Sequence, residues 1–310
     1  MKSSLNIGRR KALRSLLAIG GATLLWPLTS FAKPTSIIKR AIPSSGETIP
    51  LIGLGSWSTF NVGNDTLARD ACAEVIGNFF NAGGRLIDSS PMYGSSQEVI
   101  GYGLTKLGKT AQVFSADKVW ISSGSEGPEQ MEASRRYWNV KQFDLMQVHN
   151  VLSWEEHLPT LFDMKNSGKI RYVGITTSHG RRHREIEKIM RNHAIDFVQL
   201  TYNIRDREVE KRILPLAQDR GIAIIANRPF QQGYLIDWAK RYSLPDWAKE
   251  FDCTNWAQFL LKFIVSHPAV TCAIPATSRV DHVLENKGAA TGRLPDEAMR
   301  RRMIAYVEKL

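Results

Sequence analysis

Apolar runs of five to seven residues recur along the chain, at 51–55, 86–90, 113–118, 144–149, 170–176, 197–202, 222–228 and 271–275. Runs of this length read as strands. Between them lie amphipathic stretches at helical spacing, such as Asp65 to Ala82, Trp154 to Asn166 and Arg184 to His193. Gly83-Gly84, Ser167-Gly168 and Arg220-Gly221 supply helix stops. Two short runs, 36–41 and 47–52, flank Pro43-Ser44-Ser45-Gly46 and predict a hairpin ahead of the main fold. Eight strands alternating with helices over about 260 residues predict an α/β fold, a (β/α)₈ TIM barrel with a short N-terminal β-hairpin. A doubly wound open sheet is the alternative. It lacks support, because Gly53-Leu54-Gly55-Ser56-Trp57-Ser58 does not complete a G-x-G-x-x-G fingerprint.

Three of the predicted strands end on side chains that carry chemistry. The run after Gly84 ends on Asp88, with Tyr93 and Gly94 close behind it. The run from Val113 ends on Lys118, and the run from Asp144 ends on His149. In a barrel of parallel strands the carboxyl ends converge on one mouth, where the active site sits. Asp88, Tyr93, Lys118 and His149 can therefore meet across about 60 residues of chain. A cation beside a tyrosine favours the phenolate, so Lys118 is expected to lower the Tyr93 pKa. Taken singly, each of these residues has a plainer explanation: a strand-end cap, packing, a solvated lysine, a core histidine.

The amino terminus has a different character. Arg9-Arg10 precedes Lys11-Ala12-Leu13-Arg14, an uncharged run follows from Ser15 to Ala32, and Ser30-Phe31-Ala32 fits a small-x-small cleavage site. The paired arginines resemble a twin-arginine (Tat) export signal over residues 1–32, leaving 33–310 as the barrel. An ordinary secretory signal or an uncleaved membrane anchor is the alternative. Gly20, Gly21 and Pro27 interrupt a run barely long enough to span a bilayer. The expected location is the periplasm or beyond, with the export machinery as a partner. The formal charge of +11 includes five cations and no acid within residues 1–32, so the remainder carries +6. That excess is modest and dispersed, and it does not imply nucleic acid. Arg181-Arg182-His183-Arg184, the densest basic run, reads as the solvated start of a helix. Cys72, Cys253 and Cys272 are odd in number and widely spaced. They form no metal pattern, and His179, His183 and His193 join no acidic cluster.

Several segments together carry a resemblance: Gly53-Leu54-Gly55-Ser56-Trp57, Ile87-Asp88-Ser89-Ser90-Pro91-Met92-Tyr93-Gly94, and Glu98-Val99-Ile100-Gly101. Further on come Asp144-Leu145-Met146-Gln147-Val148-His149, Gly168-Lys169-Ile170-Arg171-Tyr172-Val173-Gly174, Ile274-Pro275-Ala276-Thr277-Ser278-Arg279 and Glu285-Asn286. In this order and spacing, from about residue 38 to 300, the chain resembles the aldo/keto reductase family. The resemblance implies Tyr93 as general acid, Lys118 as the cation beside it, Asp88 as the partner of Lys118, and His149 as a donor that orients a carbonyl substrate. It implies hydride from a nicotinamide cofactor, NADP with NAD as the alternative. Gln199 would hold the carboxamide, with Thr176 or Thr177 opposite. Arg228, Thr277, Ser278 and Arg279 would meet phosphate, and Glu285 and Asn286 the adenine. Trp57, Met92, Asn150 and Val151 would line the substrate mouth.

The chain departs from the family pattern in four places. Thr176-Thr177 replaces a common Ser-Asn pair, and Asn227 stands where many members place an aromatic ring on the nicotinamide. Ala276 replaces a lysine, and His282 replaces a frequent phosphate-contacting arginine. The leading expectation is a carbonyl reductase for an aldehyde or ketone. A periplasmic redox partner would be needed if reduced nicotinamide is not replenished after export. The competing expectation is an exported nucleotide- or ligand-binding barrel without multiple turnover. A Schiff-base lyase built on Lys118 would leave Asp88 and Tyr93 unexplained.

Overall fold

A computed structural model describes residues 36–310. The export-signal reading of residues 1–32 lies outside them. The chain opens with an antiparallel hairpin, β1 (Lys39–Ala41) and β2 (Thr48–Pro50). Its turn closes with Ile42 N–H donating to Glu47 O at 2.7 Å. Eight strands follow: β3 (Leu54–Gly55), β4 (Leu86–Asp88), β5 (Phe114–Val119), β6 (Phe143–Val148), β7 (Ile170–Thr176), β8 (Phe197–Thr201), β9 (Ala223–Asn227) and β10 (Val270–Ala273). They pair in chain order, all parallel. Parallel bridges from Ile52 to Ala273 and from Gly55 to Ala276 close the ends of the sheet on each other. This is the eight-stranded barrel that the alternation predicts.

The helices between the strands are α1 (Thr66–Asn81), α2 (Ser96–Leu107), α3 (Gly127–Trp138), α4 (Trp154–Asn166), α5 (His183–Asn192), α6 (Ile213–Arg220), α7 (Tyr234–Ala239), α8 (Trp256–Val265), α9 (Val280–Lys287) and α10 (Glu297–Val307). Local chemistry sets their ends. Asp65, Asn255 and Asp296 accept from the first-turn N–H groups of α1, α8 and α10. Gly108 and Gly221 close α2 and α6 in the left-handed conformation. None of the described helices is long and apolar enough to cross a membrane.

The strand expected over 51–55 is regular only at Leu54–Gly55. The cause is its partner across the closure. Gly55 N donates to Pro275 O at 3.1 Å, but Pro275 has no N–H to return. The same approach demands a glycine, because a Cβ on Gly55 would lie 2.9 Å from Ile274 O.

Two buried clusters divide the core. The larger lies between the strands and the helices. The smaller fills the lower barrel with Leu86, Phe114, Ala116, Leu145, Tyr172, Phe197, Ala223, Ile225, Cys272 and Ile274, plus Ile42 and Ile49 from the hairpin. Phe114, Tyr172 and Phe197 pack with ring centroids 5.6–6.2 Å apart. The hairpin plugs this lower end. Glu47 pairs with Arg171 and accepts from the Tyr172 hydroxyl at 2.9 Å, and Arg40 donates to His267 O at 2.8 Å. Along each central strand the inward positions are therefore apolar first. They turn polar only near the carboxyl end, at Asp88, Lys118, Gln147, Thr176, Gln199 and Asn227. Truncating Phe114 to alanine opens a void amid rings that cannot collapse onto it. The variant is expected to lose about 3–5 kcal/mol of stability, measured by denaturant unfolding.

Candidate active site

Asp88, the last residue of β4, is buried and central. Its Oδ2 accepts from Lys118 Nζ at 2.6 Å. Its Oδ1 accepts from Gln199 Nε2 at 2.7 Å and from Gln147 Nε2 at 3.3 Å. Lys118 Nζ also donates to Ser89 O at 2.6 Å. Parallel register sets Lys118 of β5 beside Gln147 of β6, so both point inward at one level. Gly174 of β7 leaves room there, since a Cβ on it would meet Gln147 Cγ at 3.0 Å. Ser56 fixes the main chain below by donating to Asp88 O at 2.9 Å.

Tyr93 is carried by a short 3₁₀ turn, Pro91–Tyr93, which the Ser90 hydroxyl caps by accepting from Met92 N. Its half-buried ring lies over the pair, with Lys118 Nζ 5.1 Å from the ring centroid. His149 meets that ring edge-on, at 5.7 Å between centroids and 88° between planes. Its Nδ1 is 2.8 Å from Ser90 Oγ. Asp88, Lys118 and His149 from the strand ends and Tyr93 from the turn after β4 thus occupy one place in the barrel mouth.

Burial pushes the Tyr93 phenol up, Lys118 draws it down, and Asp88 pushes it up again. Lys118 acts in the expected downward direction, but the net value lies above the ordinary tyrosine value, which corrects the expectation of a lowered phenol. The reason is burial, which outweighs the downward pull of Lys118, with Asp88 adding to the rise. Burial alone would depress the Lys118 ammonium, but Asp88 and Tyr93 outweigh it and hold Lys118 above the lysine range. Burial, then the Lys118 cation, lower His149 to about 3, so its ring is neutral at physiological pH.

The donors and acceptors around the mouth fit a nicotinamide carboxamide. Thr176 Oγ1 accepts from Asn150 N at 2.9 Å, which leaves its own proton to donate. Gln199 spends its amide N–H on Asp88 and meets Asn227 Nδ2 only at 3.5 Å, which leaves Oε1 to accept. Thr177 is turned away: its hydroxyl donates to Arg181 O at 2.7 Å and its carbonyl accepts from Asn227 Nδ2. Strand alternation separates the two threonines. Arg228 is half-buried at the end of β9. Thr277 Oγ1 accepts from Arg279 N at 3.0 Å, so it organises the loop ahead of α9, where Ser278 is exposed. Arg279 is exposed and paired with Asp281, with Nε 2.9 Å from Oδ1. On α9, Glu285 is exposed and Asn286 buried.

Trp57 and Met92 are 44% and 45% exposed at the rim. Asn150 is half-buried beside them with φ +52°. Val151 is fully buried and packs in the outer core, which corrects its placement at the mouth. The reading from sequence missed Trp120, whose ring centroid is 6.3 Å from that of His149. It also missed Ser90, Gln147 and Asp117. Positions two before His149 and two after Lys118 share their face on a strand, so the period of two could have found Gln147 and Trp120.

A family model for the aldo/keto reductase family matches residues 51–305, and the chain belongs to that family. It is 27% identical over 256 residues to the methylglyoxal reductase YeaE of Escherichia coli, covering 80% of this chain and 88% of that protein. It is also 27% identical over 250 residues to the NADH-specific methylglyoxal reductase of E. coli, covering 70% and 74%. Its fold is similar to an aldo-keto reductase from Klebsiella pneumoniae solved in complex with NADPH. The TM-score is 0.74, at 22% identity, covering 87% of this chain and 95% of that one.

Asp117 faces the opposite side of β5 from Lys118 and is fully buried. Its Oδ1 accepts from Lys118 N and its Oδ2 from Gln97 Nε2, each at 2.7 Å. Burial pushes its carboxyl up to about 7. The native state therefore holds a proton that the unfolded chain releases near pH 4, and this group's contribution to stability falls as pH rises from about 4 to 7. Asp117→Asn removes the titration. Unfolding measured at both ends of that window should show the variant gaining on the wild type as pH rises.

Proposed function

We propose that the protein reduces an aldehyde or ketone at the barrel mouth with NADP(H), Tyr93 acting as general acid. The observation that carries this reading is the Tyr93 ring set over the buried Lys118–Asp88 pair with neutral His149 at its edge. The cofactor supplies the hydride. Tyr93 holds its proton at neutral pH because burial raises the phenol, so it is a competent donor to the carbonyl oxygen. As that proton leaves, Lys118 stabilises the phenolate. Asp88 keeps the ammonium in place, and Gln147 and Gln199 keep Asp88 in place. His149 donates a ring N–H to the substrate oxygen and sets its direction. Trp57, Met92 and Trp120 give the mouth an apolar rim that accepts the rest of the substrate.

Arg228 and Arg279 support NADP by supplying charge for phosphate, although Asp281 offsets part of the Arg279 charge. The relatives are divided, one being NADH-specific by name and a fold neighbour holding NADPH. The names of two relatives put methylglyoxal and other small oxo-aldehydes first among trial substrates. Steady-state turnover with NADPH, then NADH, against an aldehyde panel tests the reading. Tyr93→Phe is expected to lose about 10²–10⁴-fold in kcat while nucleotide binding, followed by fluorescence, is kept. Bound nucleotide with no repeated turnover would instead favour a ligand-binding barrel.

Export is part of the proposal. Arg9-Arg10 at the start of an uncharged run, with Ser30-Phe31-Ala32 after it, supports twin-arginine transport to the periplasm and cleavage after Ala32. A protein exported this way can carry its nucleotide out already bound, and a redox partner would then restore it. Cell fractionation should find the wild type in the periplasm, lighter than the full 34.9 kDa chain by the mass of residues 1–32. Replacing Arg9-Arg10 with Lys-Lys should retain it, full length, in the cytoplasm. Equal export of both would refute the route.

A further inference from the structure

Ser90 stands between the two groups that would face the substrate oxygen. The residue is fully buried. Its Oγ accepts the Met92 N–H at 3.2 Å, the bond that caps the Tyr93 turn. The same oxygen lies 2.8 Å from His149 Nδ1. A serine hydroxyl has one proton and two lone pairs. Met92 N–H takes a lone pair, so the hydroxyl proton needs an acceptor. Among the described residues Nδ1 is the group in place to be one. If Nδ1 carried the ring proton it would donate to the second lone pair, and the buried hydroxyl proton would have no acceptor among the described residues. The ring is neutral, so it holds one proton, and the nitrogen that does not accept from Ser90 must hold it. Nε2 has no protein partner among the described residues and retains solvent contact.

We propose that Ser90 is a positioning residue that fixes His149 as the Nε2–H tautomer, leaving the unengaged ring nitrogen as a hydrogen-bond donor. One hydroxyl thereby ties the orientation of the histidine to the turn that carries Tyr93. The use of that donor on a carbonyl oxygen rests on the reductase reading. The tautomer itself does not.

The test is nitrogen-15 NMR of the histidine rings in the purified protein, with the His149 signals assigned by their loss in His149→Gln. The wild type should show a neutral ring protonated at Nε2 from about pH 5 to 8, since its pKa lies far below that range. In Ser90→Ala the ring should stay neutral but become a mixture of tautomers. Turnover should fall about tenfold or more, as when the partner that orients a catalytic histidine is removed. Nucleotide affinity should hold within about twofold, because the hydroxyl spends its hydrogen bonds on Met92 N and His149 Nδ1. A wild-type ring protonated at Nδ1, or an unchanged tautomer in Ser90→Ala, would overturn the proposal. If neither protein reduces a carbonyl, the reductase reading fails while the tautomer measurement still decides this one.

Discussion

The ion pair between Lys118 and Asp88 governs the upper half of this molecule. Both groups are out of water, where a single unmatched charge would cost several kcal/mol. The fold meets that cost with hydrogen bonds from every side. Asp88 accepts from Lys118, Gln147 and Gln199, and Lys118 also reaches Ser89 O. These partners come from β4, β5, β6 and β8. The pair is therefore held by the barrel as a whole rather than by any one loop. Its exact position then sets the field felt by Tyr93 and His149.

The lower half makes that polar cluster affordable. Aromatic rings and aliphatic side chains fill the barrel beneath it, and the hairpin seals the bottom. The side chains beneath the cluster are buried from solvent, whereas Trp57, Met92 and Trp120 are exposed at the rim. The change from apolar to polar inward residues along each strand thus divides one cylinder into a support and a reaction chamber. Membership of the aldo/keto reductase family accords with this division, since such barrels work at the carboxyl ends of their strands.

Much of this was legible in the sequence, because period and spacing are local. The alternation of short apolar runs with helical stretches gave the barrel, and each strand-end residue could be picked out by its place after a run. The electrostatics were not legible. Lys118 lowers Tyr93, but whether burial outweighs that pull depends on how deeply the assembled barrel sets the phenol. Val151 looked like a rim residue because it follows Asn150, yet two successive left-handed residues turn it inward. Thr176 and Thr177 could not be told apart until the face of β7 was known. Ser90 was hidden for a different reason: its role comes from His149, 59 positions away.

The closure between β3 and β10 differs from the rest of the barrel. β3 is two residues long, with two register pairs to β4 and isolated bridges toward β10, whereas β8 and β9 share five register pairs. The cylinder is thus closed by fewer regular pairs here than between its central strands. The seam lies beside Ser56, whose hydroxyl is keyed to the Asp88 carbonyl, and it leads directly to Trp57 on one side and Thr277 on the other. The rim residue Trp57 and the loop at Thr277 are thus both anchored on the most sparsely paired junction of the barrel.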